Sequence, residues 1–351
     1  MDGVVTQYVD WKFAKSTGAR LVPPGPDVSE DEAAEAVAEI RELAAAAVAP
    51  VAATSRLTAP GDAPAPLVVD RPTWIGVNAD SMAALLQPAL ERVASRRDKE
   101  PSAAAQAIGS KVTAVEAGGM LAFLSTKVLG QYDIAPDGTP ALLLVAPNIV
   151  ATERELGVTP RDFRLWVCLH EETHRVQFTA VPWLREHLIG QARDLAGELA
   201  PDMESLRSRL EQVTARLPKV LSGEGQGLPD LVITPEQREQ MARVTAVMSL
   251  LEGHADVVMD DVGPEHVPSV ATIRERFTRR RKGAGAADRM LRRLLGLEAK
   301  MRQYRDGADF VRGVQEQVGV DGFNAVWTSP ETLPTPLEIT DPTTWVRRVH
   351  G

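Results

Sequence analysis

The segment Leu169-His170-Glu171-Glu172-Thr173-His174 constrains this chain more than any other. It is a His-Glu-x-x-His motif inside a run, Arg161 to Phe178, that holds no glycine or proline. Phe163, Trp166, Val167, His170, His174, Gln177 and Phe178 fall on one side of a helix of about 3.6 residues per turn. Side chains four apart project from nearly the same side, so His170 and His174 can bring two imidazole nitrogens to one metal ion. Glu171, about 100° further round the helix, flanks such an ion, and Glu172 on roughly the opposite side is expected in solvent. Two inward histidines beside a carboxylate are costly without a metal; the alternative is a buried pair satisfied by hydrogen bonds. Pro182 marks the boundary beyond this helix.

A zinc site needs at least a third protein ligand. The best region is Met248 to Asp256, inside a predicted helix from about Pro235 to Asp261, with Val244, Met248, Leu251, Ala255 and Val258 at helical spacing. Glu252 and Asp256 are four apart and share a face. Glu252 stands at the edge of the apolar stripe, where a carboxylate needs a partner. Asp256 could orient a ligating histidine from behind. His254, about 200° round from Glu252, cannot join it on the same ion from a regular helix. Gly253 weakens the helix locally, so His254 stays open as a competing ligand or as an oxyanion donor. A salt-bridged helix face is the plainer reading of Glu252 and Asp256.

These residues carry a resemblance. The His170–His174 helix followed by Glu252-x-x-x-Asp256 resembles the gluzincin branch of the zincin metallopeptidases. The segments Trp166 to Phe178, Pro182-Trp183-Leu184, Val128 to Asp133 and Glu252 to Asp256 are similar to the bacterial zincin-like metallopeptidase type 2 family, which genome annotation associates with biosynthesis of a deazaflavin coenzyme. The resemblance implies a zincin-like fold over most of the chain. It implies Zn²⁺ on His170, His174 and Glu252, with Glu171 as general base and Asp256 behind the ligands. It also implies that the strand Ala141 to Ala146 lines the cleft and can pair with an extended substrate. The 78-residue gap from His174 to Glu252 is much longer than the few tens usual in gluzincins and demands a helical insertion.

Composition narrows the class. The 351 residues suffice for one large domain or two, 44% hydrophobic content supports a core, and a net charge of −9 argues against a general nucleic-acid binder. The single cysteine, Cys168, excludes an intrachain disulfide and fits a reducing cytoplasm. Met1 to Gln7 shows no secretory signal. Ala117 to Thr126, the most apolar helix candidate, is too short to span a bilayer, so no membrane partner is expected.

The organisation reads as mainly α with a small β-sheet, a single domain over 1–351. Residues 1–72 form an N-terminal helix, Ser29 to Ala47, plus a Pro/Ala-rich linker from Val48 to Pro72 packed on the body. Further helices are expected over Asp80 to Ser95, Ser102 to Thr126, Trp183 to Leu217 with a break at Pro201, and Asp288 to Tyr304. Ala141 to Ala146 is the clearest strand. Ser222 to Pro229, with three glycines, reads as a flexible loop between the two metal-bearing helices, first a surface connector and second a border of the cleft; Gly283 to Ala287 reads as a break, and the Pro/Thr-rich Ser329 to Pro342 as an extended tail. The arginines from Arg274 to Lys282, with Arg292 and Arg293, read first as a solvated helix face and second as an anion site.

The expectation is a cytoplasmic zinc metallohydrolase acting on a peptide or small amide, with Glu171 as base. His254, His266, Arg175 and Tyr304 are candidate oxyanion donors. Alternatives are a small-molecule amidohydrolase of coenzyme metabolism and a non-catalytic zincin-fold scaffold with structural zinc. The sequence leaves the oligomeric state open.

Overall fold

The computed structural model describes residues 8–61, 64–95, 102–199, 234–282 and 297–351. The described residues are mainly helical around one three-stranded sheet. Two helices lead: α1, Trp11–Leu21, and α2, Glu30–Ser55. Strand β1, Leu67–Val69, is followed by α3, Arg71–Ser95, and α4, Ala103–Ser125. Then come β2, Gly130–Asp133, β3, Ala141–Val145, α5, Ala146–Leu156, α6, Pro160–Ala180, and α7, Pro182–Leu199. The second half holds α8, Pro235–Asp261, the short α9, Gly263–His266, then α10, Val270–Lys282, and α11, Leu297–Phe323. It closes with α12, Pro336–Thr340, and α13, Pro342–His350.

The sheet order is β1-β3-β2, with β1 parallel and β2 antiparallel to β3. β3 is the middle strand, and Leu142 to Val145 are buried. A strand covered on both faces reads as an unbroken apolar run, which is why Ala141 to Val145 was legible. α3 and α4 make the crossover from β1 towards the rest of the sheet.

Helix α2 starts as its sequence dictates. Ser29 Oγ accepts from the Glu32 amide at 3.2 Å, and the Ser29 amide donates to Glu32 Oε2 at 2.8 Å. It does not stop at Ala47. It runs through Pro50 to Ser55, because Ile40, Leu43, Ala44, Ala47, Val51 and Ser55 keep a buried helical stripe. Packing of that stripe on α6 outweighs the one backbone bond that Pro50 removes. The linker from Val48 to Pro72 is thus helix in its first third, and α3 begins nine residues earlier than Asp80. α1 lies before the expected first helix and packs on α3 and α4.

The tail is likewise not extended. After the 3₁₀ turns Asn324–Trp327 and Pro330–Thr332, each short helix opens with a proline, Pro336 or Pro342, at its first position. Proline is well suited there because the amide it lacks would have no helical partner. Trp345 anchors the tail, fully buried against Phe310 with ring centroids 5.8 Å apart. Ser222 to Pro229, Gly283 to Ala287, Arg292, Arg293, the stretch beyond Leu199 and most of Asp288 to Tyr304 lie outside the described residues.

Two apolar cores meet along α6 and α8. One joins α2, β3, α5, α6 and α10 to the C-terminal end of α8, through Phe163, Trp166, Leu169, Val258 and Ile273. The other joins α7, the preceding turns of α8, α11 and the tail, through Leu184, Leu250, Phe310, Phe323 and Trp327. Glu252 to Asp256 fall between them.

Candidate metal centre

His170 and His174 project from α6 and Glu252 from α8, and one ligand atom of each lies within 4.8 Å of the others. The two Nε2 atoms are 3.2 Å apart. Glu252 Oε2 is 3.5 Å from His170 Nε2 and 3.7 Å from His174 Nε2. Tetrahedral zinc with bonds of about 2.05 Å sets its ligand atoms about 3.3 Å apart, so this triangle is close to one face of such a site. His254 does not join the three.

The outer ring atoms explain why the Nε2 atoms face inward. His174 Nδ1 is 3.0 Å from Gln177 Oε1, which can only accept. The proton of neutral His174 therefore belongs on Nδ1, and Nε2 keeps a lone pair. His170 Nδ1 lies 3.3 Å from the Met259 thioether and 3.9 Å from Asp256 Oδ1, both acceptors as well. Two lone pairs opposed across 3.2 Å, with a carboxylate beside them, require a proton or a metal cation between them. The donor set of two imidazoles and one carboxylate suits zinc.

The local electrostatics agree. Burial works against a charged His174, but its hydrogen bond with Glu252 and the charges of Glu252 and Glu171 raise it to about 9. Burial pushes Glu252 up, and the hydrogen bonds and charges of His170 and His174 overcome this and hold it well below the usual carboxylate range. Burial raises the Glu171 carboxyl, with the two histidines opposing. Its Oε2 is buried without a hydrogen-bond partner among the described residues. Room for that carboxyl comes from Gly130 at the start of β2: a Cβ there would stand 2.5 Å from Glu171 Cδ.

Both β2 and β3 meet the motif helix, but β2, rather than the β3 strand Ala141 to Val145, is the one that lies beside Glu171. The reason is topological, since β3 is the central strand and β2 the edge. Tyr132, two residues on, shares the face of Gly130 and stacks on Phe178 with centroids 5.2 Å apart.

His254 is placed differently from either role expected of it. It is fully buried on the far side of α8, its ring 5.3 Å from that of Phe323 and 5.4 Å from that of Trp327. Its Nδ1 accepts from Gln177 Nε2 at 3.0 Å, and Nε2 has no partner among the described residues. The helix stays regular through Gly253, so the two-residue offset from Glu252 turns His254 away. Gly253 instead admits α11: a Cβ on Gly253 would collide with the Gly307 carbonyl carbon, and one on Gly307 with the Ser249 carbonyl.

Gln177 is the residue whose role the sequence did not announce. Besides its contacts to His174 and His254, Nε2 donates to the Leu251 carbonyl at 2.9 Å. It ties α6 to α8 at the level of the ligands. Its place three residues after His174, on the inward face, was the available signal.

Glu172 is buried, not solvated, because the end of α2 and residues 58–61 cover that side of α6. It accepts two bonds of 2.7 Å from Arg175, which occupies that guanidinium. His266 lies in the short α9, beside the α2 residues Ala49 and Pro50, and the Tyr304 side chain lies outside the described residues. Asp256 Oδ1 is 3.8 Å from Arg274 Nη2, while the Asp256 carbonyl accepts from the same nitrogen at 2.9 Å. Arg274 also pairs with Asp260, Arg276 caps the Leu156 carbonyl at 2.8 Å, and Arg280 pairs with Glu155 at 2.9 Å. Arg279 bonds Glu275 at 2.5 Å. The described arginines of the basic run thus have acidic or carbonyl partners.

A helical protein with two histidines of a His-Glu-x-x-His helix and a glutamate of a second helix converging on one point has the site of a zincin-type metallopeptidase. The chain belongs to the zincin-like metallopeptidase family, whose pattern it matches over residues 9–346. No protein of curated function matches it. A solved structure from Chloroflexus aurantiacus, described as "a putative hydrolase with a novel fold", is 30% identical, with a TM-score of 0.67. The alignment covers 97% of this chain and 98% of that one.

Proposed function

We propose that this protein is a zinc-dependent hydrolase of peptide or amide bonds, with His170, His174 and Glu252 as ligands and Glu171 as general base. The observation that carries this is the convergence of three ligand atoms beside a buried carboxylate with one unpartnered oxygen. Zinc, when bound, polarises a carbonyl and lowers the pKa of water to about 7. Glu171 Oε2 takes the proton of the attacking water and returns it to the leaving nitrogen. Burial raises the affinity of Glu171 for that proton, which suits it to both transfers.

Gln177 holds His174, and Asp256 with Met259 flanks His170, so among the described residues α6 and α8 supply the contacts that orient the two histidines. The edge strand β2 offers its backbone beside Glu171 to an extended substrate. Among the described residues no fourth protein ligand accompanies the three, which supports a catalytic reading over structural zinc. Buried Cys168, with no second cysteine to pair, fits action in the cytoplasm.

Protein purified without added metal should carry about one equivalent of zinc, and His170→Ala should lose it. Glu171→Gln should keep the metal and the fold while turnover of a peptide-library substrate falls on the order of 10²-fold or more. Equal turnover in the glutamine variant would reassign the base, and equal zinc in the alanine variant would remove the metal site.

A further inference from the structure

Helix α4 is apolar on two of its faces, centred about 100° apart round the helix. Inward, Ala114 packs with Val9 and Ala14, and Leu121 and Ala122 pack with Trp74 and Ile75. Outward, Ile108, Val112 and Val115 are 67%, 55% and 45% exposed. Together these faces give Gln106–Ser125 the length and apolarity of a membrane span by composition alone. That window is longer than the Ala117 to Thr126 stretch the sequence suggested.

The outward residues follow a pattern. Ile108, Val112, Val115 and Gly119 are spaced by four, three and four, the alternation of a two-helix seam. Lys111 and Glu116, both exposed, flank this stripe on opposite sides and are five residues apart. At that offset two parallel helices exchange ion pairs across an apolar seam.

We propose that α4 is the interface of a parallel two-fold dimer of this chain. Ile108, Val112, Val115 and Gly119 form the seam, and Lys111 of each copy pairs with Glu116 of the other. An antiparallel pairing of the same stripe sets each flank against its own kind, which leaves lysine and glutamate without opposite charges. An anionic membrane surface selects a basic border, and this border is one lysine against one glutamate. The helix is already folded in each copy, so association costs no helix formation. One helix face is a small interface, and the dimer forms only at elevated concentration.

Sedimentation velocity of the full chain should show a shift to twice the monomer mass by about 10⁻⁴ M, as a small specific interface allows. Val112→Asp should abolish the shift. Lys111→Glu should weaken dimerisation, and Lys111→Glu combined with Glu116→Lys should restore it. Val112→Cys should form an intermolecular disulfide on mild oxidation roughly tenfold faster than Thr113→Cys, which lies off the seam, since only seam positions meet at bonding distance. The buried Cys168 keeps the background low.

A monomer at every concentration overturns the proposal, as does a dimer indifferent to Val112→Asp and to the charge exchange. Binding to phosphatidylglycerol vesicles that Val112→Asp removes overturns it too, and makes the face a membrane surface. None of these substitutions touches the metal ligands, so zinc content reports separately on the hydrolase reading.

Discussion

Two inward-facing histidines share one glutamine, and their chemistry is opposite. His174 lies beside Glu252 and Glu171; burial disfavours its charge, yet the carboxylates raise it to about 9. His254, on the other side of Gln177, has no carboxylate facing it among the described residues. Burial, with the charge of His174 adding to it, lowers it to about 3. Glu252 and His254 are two residues apart on α8, one turned to the ligands and one to Phe323 and Trp327. The difference teaches that residue type did not decide which of the two faces His170 and His174. The phase of the helix did, and Gln177 holds the two environments in register.

The largest test of this contrast is ligand loss. Glu252→Ala should raise the zinc dissociation constant on the order of 10³-fold, while His254→Phe, which keeps an aromatic ring between Phe323 and Trp327, should change it less than about tenfold. Competition with a chromophoric chelator measures both, and the reverse order would make His254 the ligand. Gln177→Leu breaks the link itself. It removes the acceptor for His174 Nδ1 and should weaken zinc binding about 10- to 100-fold with the fold retained.

Protonation gives a finer test. In the metal-free protein His174 holds a proton up to about pH 9, and zinc must displace it. Zinc affinity should therefore climb about tenfold per pH unit from pH 7 and flatten above 9. Calorimetry in buffers of different ionisation heat should count one proton released at pH 7 to 8. No release would mean that His174 is neutral before binding.

The smallest effect concerns acid stability of the metal-free protein. His254 has its folded value depressed from 6.5 to about 3. Its stabilising contribution is complete above 6.5 and is lost as pH falls towards 3, because only the unfolded chain accepts the proton. The loss is at most about 1.4 kcal/mol per pH unit. The raised His174 adds no slope there, since its contribution is complete below 6.5 and is lost only on rising through 9. Denaturant titrations between pH 5 and 6.5 should show a steeper decline for the wild type than for His254→Phe. Equal slopes would place a compensating charge beside His254.

Much of this was legible because two periodicities are strong. The inward stripe on Arg161 to Phe178 and the Glu252–Asp256 spacing placed both ligand helices within a residue or two of their observed ends. β3 was equally clear from its apolar run. The misses have physical causes. Pro50 and the prolines at 336 and 342 read as breaks, but a packed stripe carried α2 through the first and helix starts absorbed the others. Glu172 read as solvated because a helix considered alone does not reveal that α2 covers it. Gly130 and Gln177 gave little signal, since their roles depend on which strand and which helix arrive beside them.

The meeting of Gly253 and Gly307 has a consequence in the language of the gene. Every missense change of one base in a glycine codon installs a residue with a β-carbon. At these two positions that atom would overlap the backbone of the opposing helix. Glu252 and His254 sit on either side of this joint, so a lesion at Gly307, 55 positions from Glu252 in the chain, would reach the ligand set by displacing α8. Loss-of-metal variants selected at random should accumulate at codon 307 as well as at the codons of the ligands.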